Sequence, residues 1–177
     1  NEANAAEERI QTALSYNLAT TQTLGFIVEK YGVPTDFDSV GATLLRSNKF
    51  ADAVQLVQGG VITHTYPLKG NESVIGYNIL KDSVRNSGAF TAIQSGKFFW
   101  AGPIPLKQGG VGIVGRQPLY KEGAFYGFSA VIVRLGTFLQ GAGIDTTGVG
   151  IFSYQLSRVD ADNTEEFFLS ATRNTKN

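Results

Sequence analysis

Lys97–Val133 reads KFFWAGPIPLKQGGVGIVGRQPLYKEGAFYGFSAVIV, and this stretch decides the fold. Three runs rich in β-branched and aromatic residues, Lys97–Leu106, Val111–Tyr120 and Ala124–Val133, are separated by Lys107-Gln108-Gly109-Gly110 and Lys121-Glu122-Gly123. Connections this short and glycine-bearing close antiparallel hairpins, so the spacing predicts a three-stranded meander. Gly109-Gly110-Val111-Gly112 is therefore a turn: a phosphate-cradling loop leads from a strand into a helix, and here a strand follows.

Upstream, Ala5–Tyr31 lacks proline and carries Ile10, Leu14, Leu18, Thr21, Leu24 and Val28 at three-to-four spacing, one face of a helix. At ~1.5 Å per residue it reaches about 40 Å, enough to project beyond a small domain. Gly32-Val33-Pro34 ends it, and Thr35 or Asp36 can cap a second helix, Phe37–Ser47. Ala51–Gln58 and Val61–Tyr66, split by Gly59-Gly60, read as a strand pair, Val74–Tyr77 as a brief strand, and Asp82–Gln94 as a helix ended by Ser95-Gly96. Beyond the meander a short helix, Arg134–Gly141, precedes strands at Val149–Ser157 and Glu166–Ala171; the glycines of Gly141–Gly150 lack a P-loop lysine and read as a connection. Helices first and antiparallel strands afterwards make the class α+β.

Composition narrows the chemistry. The chain has 177 residues, one domain's worth, with 42% hydrophobic residues and 15 Lys+Arg against 15 Asp+Glu. Zero net charge supplies no field for a polyanion, which argues against nucleic acid as a partner. No cysteine and a single histidine remove thiol catalysis, disulfides and Cys/His zinc sites; His64, in Thr63-His64-Thr65, has no second metal ligand nearby and reads as a packing or surface residue. The acidic residues are scattered and read as solvated. Asn71-Glu72-Ser73 matches a glycosylation acceptor, which has meaning only in a eukaryotic secretory pathway. Neither a cofactor nor a metal is expected. The absence of methionine suggests a piece excised from a longer chain, and with no apolar run near the ~20 residues of a membrane span, any membrane segment is expected outside it. Phe98-Phe99-Trp100 and Phe125-Tyr126 with Phe128 begin adjacent meander strands, where their rings can line a pocket or simply fill a core.

Leu56–Leu80, LVQGGVITHTYPLKGNESVIGYNIL, followed by Ser95-Gly96-Lys97, Ala101-Gly102-Pro103 and GGVGIVGRQPLY over Gly109–Tyr120, resembles the CHASE family, extracytoplasmic sensory domains of histidine kinases, diguanylate cyclases and related receptors. Order and spacing match over about Phe37 to Ser157. The resemblance implies a long N-terminal stalk helix (residues 1–34), then a PAS-like antiparallel sheet with flanking helices (35–157), and a C-terminal segment (158–177) leading towards a second membrane helix. The family's closing tryptophan-bearing strand is not found after Ser157.

By position, the pocket of cytokinin-binding relatives corresponds to Arg85, Phe99, Ala101, Leu106, Arg116, Phe125, Gly127 and Phe128. Two positions depart from those relatives: an aspartate that holds adenine aligns with Arg85 and a threonine with Arg116. The aspartate common after Gly-Tyr is here Asn78. An arginine cannot accept from an adenine amine, which argues against cytokinin. Two guanidinium groups facing one apolar space instead predict an anionic small molecule, most simply a carboxylate, unless the arginines reach solvent or pair with Asp82 or Glu122. The expectation is a non-catalytic, ligand-sensing input domain of a membrane-spanning receptor, periplasmic or extracellular, forming a homodimer through its N-terminal helix. A structural or dimerisation module without a ligand, and an enzyme using Asp/Glu chemistry, stand beside it as alternatives.

Overall fold

The computed structural model describes residues 1–86, 88–144, 155–159 and 163–169. Helix α1 runs over Glu2–Tyr31. The Asn1 side chain caps its start by accepting from the Asn4 amide at 3.2 Å, and Gly32 ends it at φ 85° with its N–H returned to the Val28 carbonyl. Asp36 accepts from the Ser39 amide at 3.0 Å and starts α2, Phe37–Arg46. Five strands follow, β1 (Ala53–Gln58), β2 (Val61–Tyr66), β3 (Phe99–Pro105), β4 (Val111–Lys121) and β5 (Ala124–Arg134). They form one antiparallel sheet in the order β2-β1-β5-β4-β3, so the expected meander is its larger half and the expected pair β1–β2 completes it.

Both faces of this sheet are covered. On one face α1 and α2 bury Leu24, Val28 and Phe37 against Val54, Leu56, Leu119 and Val131. The apolar stripe of α1 is thereby spent on its own sheet in its C-terminal half. Burial continues along the helix through Ala13 to Ala6, so α1 lies along the fold where its length alone had suggested that it projects. On the other face α3 (Ala89–Ser95) and two 3₁₀ turns, Glu72–Val74 and Ile79–Lys81, cover Val57 and Phe128. After β5, α4 (Leu135–Gly141) packs beside the start of α1, with Leu139 and Ala142 against Ile10. Strands β6 (Leu156–Val159) and β7 (Glu165–Leu169) form a separate antiparallel pair.

Two expected elements differ. The strand predicted over Val74–Tyr77 is a 3₁₀ turn, with Tyr77 N–H returned to Val74 O at 3.0 Å, whose exit pairs only briefly with β2: Gly76 N–H donates to Ile62 O at 2.9 Å and Ile62 N–H to Tyr77 O at 3.0 Å. The helix predicted over Asp82–Gln94 is formed only at Ala89–Ser95. Asp82 caps only a single turn: its Oδ1 accepts from the amides of Val84 (2.9 Å) and Arg85 (3.2 Å) and its carbonyl from the Asn86 amide (2.8 Å), and the helix begins anew after Gly88 at φ 66°. Arg85 therefore sits in a turn, not on a helix. Of the two strands predicted near the C-terminus, residues 149–154 and 170–171 lie outside the described residues.

Candidate functional site

The face of the sheet away from α1 carries one cross-strand row that runs through all five strands. Thr65 in β2 pairs with Gln55 in β1, Gln55 with Ala130 in β5, Ala130 with Arg116 in β4, and Arg116 with Phe99 in β3. Paired residues in a ladder share a face, so the three polar side chains of this row point the same way. The rows on either side are apolar: Ala53, Ile132, Val114 and Ala101 on one, Val57 and Phe128 on the other. A guanidinium, an amide and a hydroxyl thus lie between two pieces of hydrophobic core.

Above this row is a pocket enclosing about 390 Å³, mouth included. Gln55, Val114, Arg116 and Ile132 make its floor, and its walls come from the 3₁₀ turns (Val74, Tyr77, Ile79), Arg85 and the β3–β4 hairpin from Ile104 to Gln108. Arg116 is 4% exposed and its Nη1 is enclosed without a hydrogen-bond partner among the described residues. Burial, with no carboxylate among the described residues to offset it, pulls its pKa down from the usual arginine range to about 10. Arg85 Nε and Gln108 Nε2 are likewise enclosed and unpartnered, and both residues line the same pocket; Thr65 Oγ1, in the polar row, is a further such atom. Buried polar groups are normally paired, so their concentration at one place marks a site prepared for something that donates no proton and accepts several.

Arg85 is in a different state. Its Nη1 donates to Asp82 Oδ2 at 2.6 Å, and the same oxygen accepts from the Tyr77 hydroxyl. The Tyr77 and Arg85 hydrogen bonds hold the Asp82 carboxyl far below the usual carboxylate range, while the Arg85 pKa is raised, first by Asp82. Desolvation and then the Asp82 bond push Tyr77 up. Lys107 Nζ sits 4.9 Å from the Tyr77 ring centre and Arg85 Cζ 5.9 Å, so both cations stack on the phenol at the rim. Arg85 is neutralised by Asp82, and Arg116 is the buried cation without a partner.

The other expected site residues separate from these. Leu106 lines the pocket with Arg85 and Arg116. Ala101 is buried beside Leu106 and Val114 in the apolar row. Phe128 is fully buried with Val57, Val74 and Ala92, and Phe99 and Phe125 pack on that cluster; the three rings fill core under α3 and do not line this pocket. Gly127 is needed for packing: a Cβ there would stand 1.8 Å from the Val57 carbonyl oxygen. Gln55, Tyr77 and Gln108 line the pocket and were not anticipated. Gln55 carried the one available signal, a polar residue inside the run AVQLVQ, whose first five positions are all buried. Among the described residues no three His, Asp or Glu side chains converge as a metal site requires, and no helix is long and apolar enough to cross a membrane.

The fold is shared with sensor domains. An extracellular ligand binding receptor from Desulfohalobium retbaense aligns with a TM-score of 0.66 at 20% identity, over 79% of this chain and 25% of the receptor. The ligand binding domain of the Pseudomonas aeruginosa amino acid chemoreceptor PctB, in complex with L-Gln, aligns at 0.65 and 16%, over 88% of this chain and 62% of that one. The sensor domain of the Vibrio cholerae histidine kinase DctB aligns at 0.54 and 16%, over 90% and 63%. This chain therefore spans less than two thirds of each of these structures. No curated protein sequence matches it. The sequence pattern of the CHASE domain does match, over residues 11–168, which covers α1 from Gln11 onward, the whole five-stranded sheet and most of the β6–β7 pair, and the chain belongs to the CHASE domain family.

Proposed function

We propose that this domain is the sensory input of a membrane-bound signalling receptor, without turnover of its own, and that it recognises a small anion, most simply a carboxylate, over Arg116. The observation that carries this reading is the buried guanidinium of Arg116, which has no partner among the described residues and lies at the floor of a pocket whose other enclosed, unpartnered groups include further N–H donors. An anionic ligand converts that cost into charge-assisted hydrogen bonds, the strong kind. The similar fold of ligand-binding receptors, including one captured with an amino acid and one from a histidine kinase, supports the class of function. A periplasmic or extracellular position follows from that class. So does pairing of two copies through α1, whose outward surface keeps Tyr16, Phe26 and Tyr31 exposed. Sedimentation at high concentration is the test of pairing, and a monomer throughout removes it.

Ligand recognition is tested by thermal-shift and calorimetric screening of small carboxylates against their neutral amides, on the parent chain and on Arg116→Met. Acids are expected to bind the parent in preference to amides and to lose that preference in Arg116→Met. Equal binding of acids and amides, or an acid that binds the variant as well as the parent, defeats the reading.

A further inference from the structure

The two ends of the polar row differ in charge, and that difference specifies the ligand further. Resting on the assignment of Arg116 as the anion anchor, we infer that the pocket takes a monoanion carrying a neutral hydrogen-bonding group, an amide or a hydroxyl, two to three methylenes from its charged end, and that Gln55 reads this second group. Gln55 is 3% exposed, lines the pocket floor and presents a neutral amide able both to donate and to accept. It is separated from Arg116 by Ala130 alone.

Val114 and Ile132, in the neighbouring apolar row, complete the floor with Gln55 and Arg116, so a short apolar chain can lie against it between the two polar groups. Two interstrand steps of ~4.8 Å place the Gln55 and Arg116 backbones about 10 Å apart. Side chains that stand roughly perpendicular to the sheet keep about that spacing at their tips, and a hydrogen bond of ~3 Å at each end then leaves about 4 Å between the two polar groups of the ligand. That is the span of a four-carbon acid from its carboxylate to a terminal amide or hydroxyl. Gln108 Nε2, enclosed and unpartnered on the wall, adds one more neutral donor.

Charge excludes two close rivals. A dicarboxylate brings a second negative charge to Gln55, where among the described residues no unpaired buried cation stands, because Arg85 is paired with Asp82 and Lys107 stays exposed at the rim on Tyr77. A ligand with an ammonium group needs a carboxylate; none lines the pocket among the described residues, and Asp82 behind the rim is already engaged by Tyr77 and Arg85.

The experiment is calorimetric titration of the chain with five acids of one length: succinamate, 4-hydroxybutyrate, butyrate, succinate and 4-aminobutyrate. Succinamate and 4-hydroxybutyrate are expected to bind about tenfold more tightly than the other three, the worth of one well-placed hydrogen bond. Gln55→Leu should bring succinamate down to butyrate while leaving butyrate unchanged, and Gln55→Glu should turn the preference towards 4-aminobutyrate. Arg116→Met should lose all five. If the acids bind through Arg116 but succinamate has no advantage over butyrate, or keeps it in Gln55→Leu, the inference is overturned and the anion reading stands. If none of the five binds, the inference falls; if the wider set of acids is silent as well, the reading beneath it falls too.

Discussion

Replacing Arg116 with methionine should make the ligand-free protein more stable. The guanidinium is 4% exposed, has no carboxylate against it among the described residues, and burial pulls its pKa down to about 10, roughly 2.5 units below that of an exposed arginine. At 1.36 kcal/mol per pKa unit that shift corresponds to a penalty of about 3 kcal/mol for holding the charge inside the fold. The folded-state pKa is depressed and the group is a cation, so the penalty is present in full below pH ~10, where both folded and unfolded chains carry the proton. It fades as pH rises above about 10 towards the ordinary arginine pKa, where the folded state loses its proton first. Methionine matches the arginine stem in length, adapts to an irregular apolar site and brings no charge.

In a chain of this size a gain of about 3 kcal/mol raises Tm by roughly 6–12 °C. Thermal unfolding followed by circular dichroism, on protein refolded from denaturant to remove any carried ligand, measures it at pH 7 and then at steps to pH 11. The gap between variant and parent should be constant to about pH 9 and narrow above 10. Saturation with a bound acid should raise the parent and leave the variant where it was. A variant that melts at or below the parent at pH 7 refutes the reasoning, because Arg116 would then be held by something that compensates its charge.

Three further outcomes follow from packing and charge elsewhere. Asn48→Ala removes the side chain that donates to Asn17 Oδ1 (2.8 Å) and Thr20 Oγ1 (2.9 Å) and accepts from the Phe50 amide (3.0 Å), so it should cost about 3 kcal/mol in chemical denaturation; a loss under 1 kcal/mol means that the network is not what docks α1. Gly127→Ala drives a methyl into the Val57 carbonyl and should destabilise by about 3 kcal/mol through displacement of β5 from β1, with unchanged stability as the contrary result. Asp82→Asn frees Arg85 and gives the pocket a second available cation, so succinate should gain on butyrate in competition titration; if it does not, Arg85 does not reach the ligand.

The larger architecture was legible because glycine-bearing turns punctuate β-prone runs at Gly59-Gly60, Gly109-Gly110 and Gly123, and each of these became a hairpin. What was not legible follows from side chains acting on the backbone. Val84, Ala89, Ala92 and Ile93 have helical spacing, yet the turn that Asp82 caps is not continued, and the helix starts only after Gly88 at φ 66°, a left-handed backbone that a right-handed helix does not pass through. The site divided in a similar way. Alternation places Arg116 with Val114 but cannot say which face is inward, and in this sheet the question has no single answer, since helices or turns cover both faces. The aromatic rings were a misleading guide to the pocket for the same reason: Phe99, Phe125 and Phe128 belong to a core that the sheet needs whether or not a ligand is present.

The contrast between the two faces argues that the pocket's unmet polarity is functional. On the α1 face buried polar groups are matched: Asn48 bridges Asn17, Thr20 and the Phe50 amide, Ser129 donates to the Thr21 carbonyl at 2.5 Å, and Thr21 returns its hydroxyl to Leu18 O at 2.8 Å. These contacts fix how the helix sits on the sheet, and each satisfied pair adds to stability. A chain that resolves its polar burial so fully on one side has no packing reason to leave a guanidinium and two amide or guanidinium nitrogens unpartnered around one cavity on the other. Arg116 reaches the middle of a sheet face flanked by apolar rows, where a methionine or leucine would serve the fold better, and the proposed anion would return on binding the stability forgone there. Because β4 and β5 carry the floor of the pocket on one face and the packing of α1 on the other, the ligand's charge is neutralised one strand thickness from the helix. A carboxylate that settles on Arg116 therefore acts on the same two strands that hold α1.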